Sequence, residues 1–266
     1  MHLIDSHAHL DMLEDLDGVL SRAARAGVAQ IVTIGVDLPS SRAAVDLAAR
    51  LPGVFATVGL HPHEAAQADQ ACLAQMKDLA RKGGAKAIGE CGLDFYRDLS
   101  PRAAQRRAFA AQIEMALEFG LPLVIHDRDA HQETVAMLQE QDAGRVGGVL
   151  HCFSGDLPMA RQVLDLGFCL GITGTITYKN AAALRELVAL VPAECLMLET
   201  DCPYLSPVPY RGKPNQPAYI SHTNAGLAQA LGLTPEQSAT LTTANTRRLY
   251  RLPDAPCLPG LPGWGA

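Results

Sequence analysis

Leu3-Ile4-Asp5-Ser6-His7-Ala8-His9 decides how this chain is read: an apolar start runs directly into two histidines one residue apart. Side chains on a β-strand alternate between faces, so His7 and His9 point the same way and can grip one ion. By itself a His-x-His pair is also what two unrelated histidines near a chain end look like. Further along, however, single histidines and carboxylates close other apolar runs, in Ala87-Ile88-Gly89-Glu90, Leu123-Val124-Ile125-His126, Gly148-Val149-Leu150-His151 and Leu196-Met197-Leu198-Glu199-Thr200-Asp201. Polar residues gathered at one end of a set of strands are what a barrel with a metal centre needs.

Working outward, a rhythm of β-rich apolar run, loop and Ala/Leu-rich amphipathic run continues almost to the end of the chain. Strands are expected over 3–6, 30–34, 54–58, 87–90, 123–126, 148–151, 168–172 and 196–199. Helices are expected over 16–26, 40–50, 70–81, 101–119, 130–141, 157–166 and 181–190, with two more over 219–231 and 235–250. Gly27, Gly120 and Gly167 follow helices where a left-handed cap belongs, and Pro39, Pro101 and Pro158 sit near helix starts. Strand-helix alternation of this kind reads as parallel strands with crossover helices, a (β/α)8 TIM barrel with its site at the C-terminal ends of the strands. The 266 residues fit one barrel of about 250. A single domain over 1–252 is expected, followed by a Pro/Gly-rich tail over 253–266 that holds Trp264 and is flexible or laid across the surface.

Composition narrows the class. Apolar residues make up 48% and aromatics 5%, enough for an aliphatic core and no case for disorder. No apolar run approaches the ~18 residues of a membrane span, and no basic segment with an apolar h-region opens the chain. A cytoplasmic protein with no membrane association is expected. The seven cysteines form no CxxC pair, which argues against a zinc knuckle or a disulfide framework. Cys91, Cys152 and Cys202 each follow a candidate ligand and are read as small packing residues. A net charge of −6 excludes a broad basic surface for nucleic acid but not a nuclease, because bound divalent ions dominate the local field.

Six strand-end residues are thus candidate metal ligands: His7, His9 and Asp201 on one ion, His126 and His151 on a second, with Glu90 between them. One strand-end histidine is commonly a hydrogen-bonded structural residue, but six such groups would be an uncompensated burial of polar side chains without an ion.

The stretches Ile4-Asp5-Ser6-His7-Ala8-His9, Gly59-Leu60-His61-Pro62-His63, Ile88-Gly89-Glu90-Cys91-Gly92-Leu93-Asp94, His151-Cys152-Phe153-Ser154-Gly155 and Glu199-Thr200-Asp201-Cys202-Pro203-Tyr204-Leu205 resemble the signatures of the TatD family of metal-dependent deoxyribonucleases. That family belongs to the amidohydrolase-like metal hydrolases. The resemblance spans residues 2–250, including Arg211-Gly212-Lys213-Pro214-Asn215 and Asn245-Thr246-Arg247-Arg248-Leu249; the tail has no counterpart. It implies the same ligand set, two divalent ions (Mg2+, Mn2+ or Zn2+), and hydrolysis of DNA phosphodiesters. Single-stranded DNA is the favoured substrate, and 3'-5' exonuclease action is implied, with endonuclease action as the alternative. Two ions lower the pKa of a shared water and polarise the phosphoryl oxygen. Asp201 would then take the proton from that water, with Glu90 as the second catalytic carboxylate.

His61 and His63, in a Gly-x-His-Pro-His loop, are read either as a turn fixed by Pro62 or as contacts to the scissile phosphate and the ligands. Asp94, Tyr96, Arg128 and Arg211 are further substrate-contact candidates, and Arg128 suits bidentate phosphate binding. Lys213 accompanies Arg211 in the long loop after the last strand. His2 and His131 are assigned structural roles, and His222 is read as packing or as a support to the ligands. A competing reading is an amidohydrolase acting on an amide, ester or lactone, and another is a barrel that binds metal or a partner without catalysis. The carboxylated lysine common in amidohydrolases has no counterpart here, since Lys86 falls at the wrong end of its strand. No obligate protein partner is indicated.

Overall fold

The computed structural model describes residues 2–261. The strands are β1 (Leu3–Ala8), β2 (Val28–Thr33), β3 (Val54–Val58), β4 (Ala87–Asp94), β5 (Leu123–Arg128), β6 (Gly148–Leu150), β7 (Phe168–Ile172) and β8 (Leu196–Leu198). The helices are α1 (Leu16–Arg25), α2 (Leu38–Arg50), α3 (Gln70–Lys82), α4 (Arg102–Phe119), α5 (His131–Glu140), α6 (Leu157–Asp165), α7 (Ala182–Val188), α8 (Ile220–Leu231) and α9 (Pro235–Tyr250). The eight strands form one sheet in sequence order, the topology of a (β/α)8 barrel. Two compact units make up the chain: residues 1–33, 50–55 and 171–266 form the first, residues 34–49 and 56–170 the second. Among the described residues no helix is long and apolar enough to cross a membrane.

In the first unit β1 pairs in parallel with β2, and both are buried along their whole length. Strands covered on both faces tolerate little exposed polarity. The end of β8 returns to β1, where Asp201 N–H donates to His7 O and His9 N–H donates to Cys202 O, each at 2.9 Å. α9 packs behind them, started by a capping box in which Thr234 and Gln237 satisfy each other's backbone N–H. The tail is not loose over its described part. Leu258 and Leu261 are buried, Leu258 N–H donates to Ala29 O, and the buried Gln30 amide donates to Pro253 O and Pro256 O at 2.9 and 3.0 Å. As far as Leu261 the tail lies across the protein, with Pro253, Asp254, Ala255 and Pro256 exposed and Leu258 and Leu261 as buried anchors; Trp264 lies outside the described residues.

In the second unit β4 pairs with β5, β5 with β6 and β6 with β7. β4 and β5 run past the expected ends at Glu90 and His126, because Gly92, Leu93 and Asp94 stay paired with His126, Asp127 and Arg128. Glu90 consequently lies inside a strand, with Asp94 at its end. α4 carries two buried glutamines that serve the loops above β3 and β4. Gln112 accepts from Leu60 N–H and donates to Leu60 O, while Gln105 accepts from Asp94 N–H and donates to Asp94 O and Ser100 O. Gly59 is required by close approach: a Cβ there would lie 2.2 Å from the Gly89 carbonyl carbon.

Candidate functional site

β1 carries His7 near its buried C-terminal end and His9 just beyond it, and strand alternation turns both rings toward Asp201. His7 Nε2 lies 3.7 Å and His9 Nε2 3.3 Å from Asp201 Oδ1, and the two rings meet edge to face. All three residues are buried. Asp201 adopts a left-handed backbone with φ of 57°, a conformation aspartate visits more readily than most residues. The N–H bond to His7 O and the Tyr204 N–H bond to Asp201 O hold it there. Beneath this cluster Thr200 N–H and Oγ1 donate to Asp5 at 2.9 and 2.5 Å. Burial raises the Asp5 pKa to about 7 against those hydrogen bonds and one from His7 N–H, with Glu199 adding repulsion. Glu199 itself is buried, and a Cβ on Gly171 would come within 2.5 Å of its carboxylate.

The second unit gathers His61, Glu90 and His126, with His63 and Asp94 behind them. His126 Nδ1 lies 3.0 Å from Glu90 Oε1 and its Nε2 lies 3.0 Å from Asp94 Oδ2. Asp94 Oδ2 also meets His63 Nε2 at 2.8 Å. Burial opposes a charge on His126, but hydrogen bonds to Asp94 and Glu90 prevail and raise its pKa to about 9; His151 opposes the shift. Burial would raise Asp94, yet hydrogen bonds from His126, the Arg97 N–H and His63 hold its carboxyl well below the usual carboxylate range. His61 goes the other way, lowered to about 3 chiefly by burial. Its Nδ1 accepts the His63 N–H at 3.1 Å, so the neutral ring carries its proton on Nε2, which faces Glu90 Oε1 at 3.5 Å. His61 thus turns its Nε2 side toward Glu90. His151 closes β6 as a buried residue whose N–H donates to Ile125 O.

Both clusters have the chemistry of cation sites. His7, His9 and Asp201 present ligand atoms within 4.8 Å of one another, and so do His61, Glu90 and His126. Imidazole and carboxylate donors of this kind suit Zn2+, Mn2+ or Mg2+. The thiols beside them do not compete: burial, reinforced by the neighbouring carboxylates, pushes Cys91 and Cys202 far up and keeps them protonated.

The remaining candidates fall into two groups. Asp94, expected among the substrate contacts, is fully buried with its oxygens taken by His63, His126 and the Tyr96 and Arg97 N–H groups, so it orients imidazoles. Tyr96 and Arg128 are exposed and stacked, with the guanidinium carbon 4.0 Å from the ring centroid. Arg211 lies 4.3 Å over the Tyr178 ring in the loop after β8, and Lys213 is exposed nearby in sequence. Asn215 anchors that loop by donating to Thr200 O and Tyr204 O. His131 pairs with Asp127, and His222 packs edge-on to Tyr210. Tyr204, part of the signature stretch after Asp201 but not among the site candidates, is 53% exposed with its ring 6.2 Å from that of His9.

Comparison with known proteins adds an independent line. The family described as TatD related DNase matches residues 4–251. An uncharacterized metal-dependent hydrolase of Bacillus subtilis, YabD, is 39% identical over 253 residues, covering 94% of this chain and 99% of that protein. A protein of Klebsiella pneumoniae named 3'-5' ssDNA/RNA exonuclease TatD is 39% identical over 241 residues, covering 89% and 92%. Among solved structures, the TatD homolog YJJV of Escherichia coli superposes with a TM-score of 0.89 at 31% identity, covering 94% of this chain and 98% of that one.

Proposed function

Because this chain belongs to the family of TatD related DNases, and is a metal-dependent hydrolase, we propose that its reaction is hydrolysis of phosphodiesters in single-stranded nucleic acid, proceeding from the 3' end. The observation that carries the reading is the His7–His9–Asp201 cluster, an all-buried set of two imidazoles and a carboxylate on paired strand ends. Such a set costs several kcal/mol of desolvation unless a cation or proton compensates. In the proposal His7, His9 and Asp201 hold one divalent ion, and Glu90, His126 and His151 hold the other. When bound, the ions supply a hydroxide near neutral pH and polarise the phosphoryl oxygen.

The chain's own residues do the rest. Asp201 is the base that takes the proton of the attacking water, its Oδ1 lying 3.3 Å from His9 Nε2 and 3.7 Å from His7 Nε2. His61 packs its Nε2 3.5 Å from Glu90 Oε1, while Asp94 sets the rotation of His126 and His63. His63, a quarter exposed at its side chain, is the imidazole of this group that can reach the phosphate. Arg128 offers a donor fork to the same phosphate. The Klebsiella relative's name covers both DNA and RNA.

The test is cleavage of end-labelled single-stranded DNA by protein loaded with Mg2+ or Mn2+, by chelator-treated protein, and by His126→Ala and Asp201→Asn variants whose folding is checked by circular dichroism. Metal-dependent shortening from the 3' end that both variants lose is the expected result. Protein that holds its ions yet cleaves no strand would transfer the reading to amide or ester substrates.

A further inference from the structure

Tyr96 is a large aromatic residue left 61% exposed just past the end of β4. It is not a loose side chain on a loose loop. Its N–H and that of Arg97 donate to Asp94 Oδ1 at 3.0 and 2.7 Å, and the other oxygen of that carboxylate holds His63 and His126. Arg128 covers one face of the ring, its guanidinium carbon 4.0 Å from the centroid. Ring and cation come from neighbouring strand ends, where Asp94 pairs with Arg128 and Phe95 N–H donates to Arg128 O at 2.9 Å.

An aromatic ring serving only to pack would be laid against the protein. Here the packing is done by the preceding residue, Phe95, which receives Arg102 at 4.2 Å, while Tyr96 keeps most of its surface in water. A flat π face backed by a guanidinium is a platform for a nucleobase, and the same guanidinium carries the donor fork that fits a phosphate. A base inside a duplex has both faces stacked and offers neither to such a platform. An unpaired base offers one freely.

We propose that Tyr96 and Arg128 form the subsite that receives the unpaired base beside the scissile phosphodiester, and that this stack makes a single strand the substrate. The inference rests on the nuclease reading and gives it a specificity-determining pair. Every base has a π face, so the subsite is tolerant of sequence, and it makes no use of the sugar's 2'-hydroxyl.

The experiment compares KM for an oligonucleotide with intact bases at its 3' end against the same strand made abasic at those positions, using Mn2+-loaded full-length enzyme. The wild type is expected to favour the intact strand by about tenfold or more, the usual reach of one base-aromatic stack. Tyr96→Leu brings that ratio toward one and lowers the preference for single strand over blunt duplex; Tyr96→Phe restores both. A ring that only supports the fold would weaken intact and abasic strands alike and leave the ratio untouched, which would overturn the proposal. A wild type that cleaves intact and abasic strands equally well overturns the subsite alone. A wild type that cleaves no strand with any metal brings down the nuclease reading and the subsite together.

Discussion

Loading the second cluster with an ion requires His126 to lose a proton, and that proton can be counted. Both ring nitrogens face carboxylate oxygens at 3.0 Å, an arrangement that holds the ring as imidazolium and raises its pKa to about 9. A metal needs a nitrogen lone pair, so at pH 7 binding releases this proton. The gap of two pKa units weakens apparent affinity about a hundredfold relative to alkaline pH, or ~2.7 kcal/mol, because each unit is worth about 1.4 kcal/mol. Titration calorimetry of chelator-treated protein in buffers of different ionisation enthalpy should show about one proton released from His126 at pH 7 and none above the raised pKa. Asp94→Asn keeps an acceptor for the Tyr96 and Arg97 N–H groups but removes the charge facing His126, so release at pH 7 should fall; the difference between the two proteins separates His126 from the other cluster. The sign for stability is opposite. A pKa raised above the unfolded value stabilises the ion-free fold fully below about 6.5 and loses that contribution as pH rises through about 9. Release near zero at pH 7, or equal release at pH 7 and above the raised pKa, would refute the reasoning.

Truncation after Leu252 removes two leucines that are 2% and 4% exposed and strips the Gln30 amide of both carbonyl partners. Urea denaturation should show a loss of at least ~3 kcal/mol, with turnover per folded molecule unchanged. Gly59→Ala places a Cβ 2.2 Å from the Gly89 carbonyl carbon and 2.6 Å from Glu90 N, both backbone atoms that cannot swing aside. It should cost about 1–3 kcal/mol by thermal melting and reduce turnover further than the melting shift explains, since it displaces Glu90. Loss of stability with full activity would show that Glu90 tolerates the shift.

The strand ends were the most legible part of this protein. His7, His9, Glu90, His126, His151 and Asp201 stand out because each interrupts an apolar run at a place where local alternation already dictates a strand. Element boundaries were less legible for the same reason. A charged residue reads as a strand's end, yet β4 continues from Glu90 to Asp94 because its partner strand keeps offering backbone groups. The carboxylate of Asp94 reads as a substrate contact for want of any local sign that two histidines and two N–H groups converge on it. Gln105 and Gln112 passed unnoticed, since a polar residue on a helix is ordinarily a surface residue and only the loops they hold reveal them as buried.

Alternating strands and amphipathic helices, and the shared direction of His7 and His9, were determined by neighbouring residues alone, because strand and helix periodicities are short-range properties of the backbone. Protonation of His126, the tautomer of His61, the stack of Arg128 on Tyr96 and the docking of Leu258 beside Ala29 were decided only by the tertiary structure. Each depends on which groups distant in the chain come within hydrogen-bonding or van der Waals reach, and on how much water their burial removes, and neither quantity is written in any local stretch of sequence.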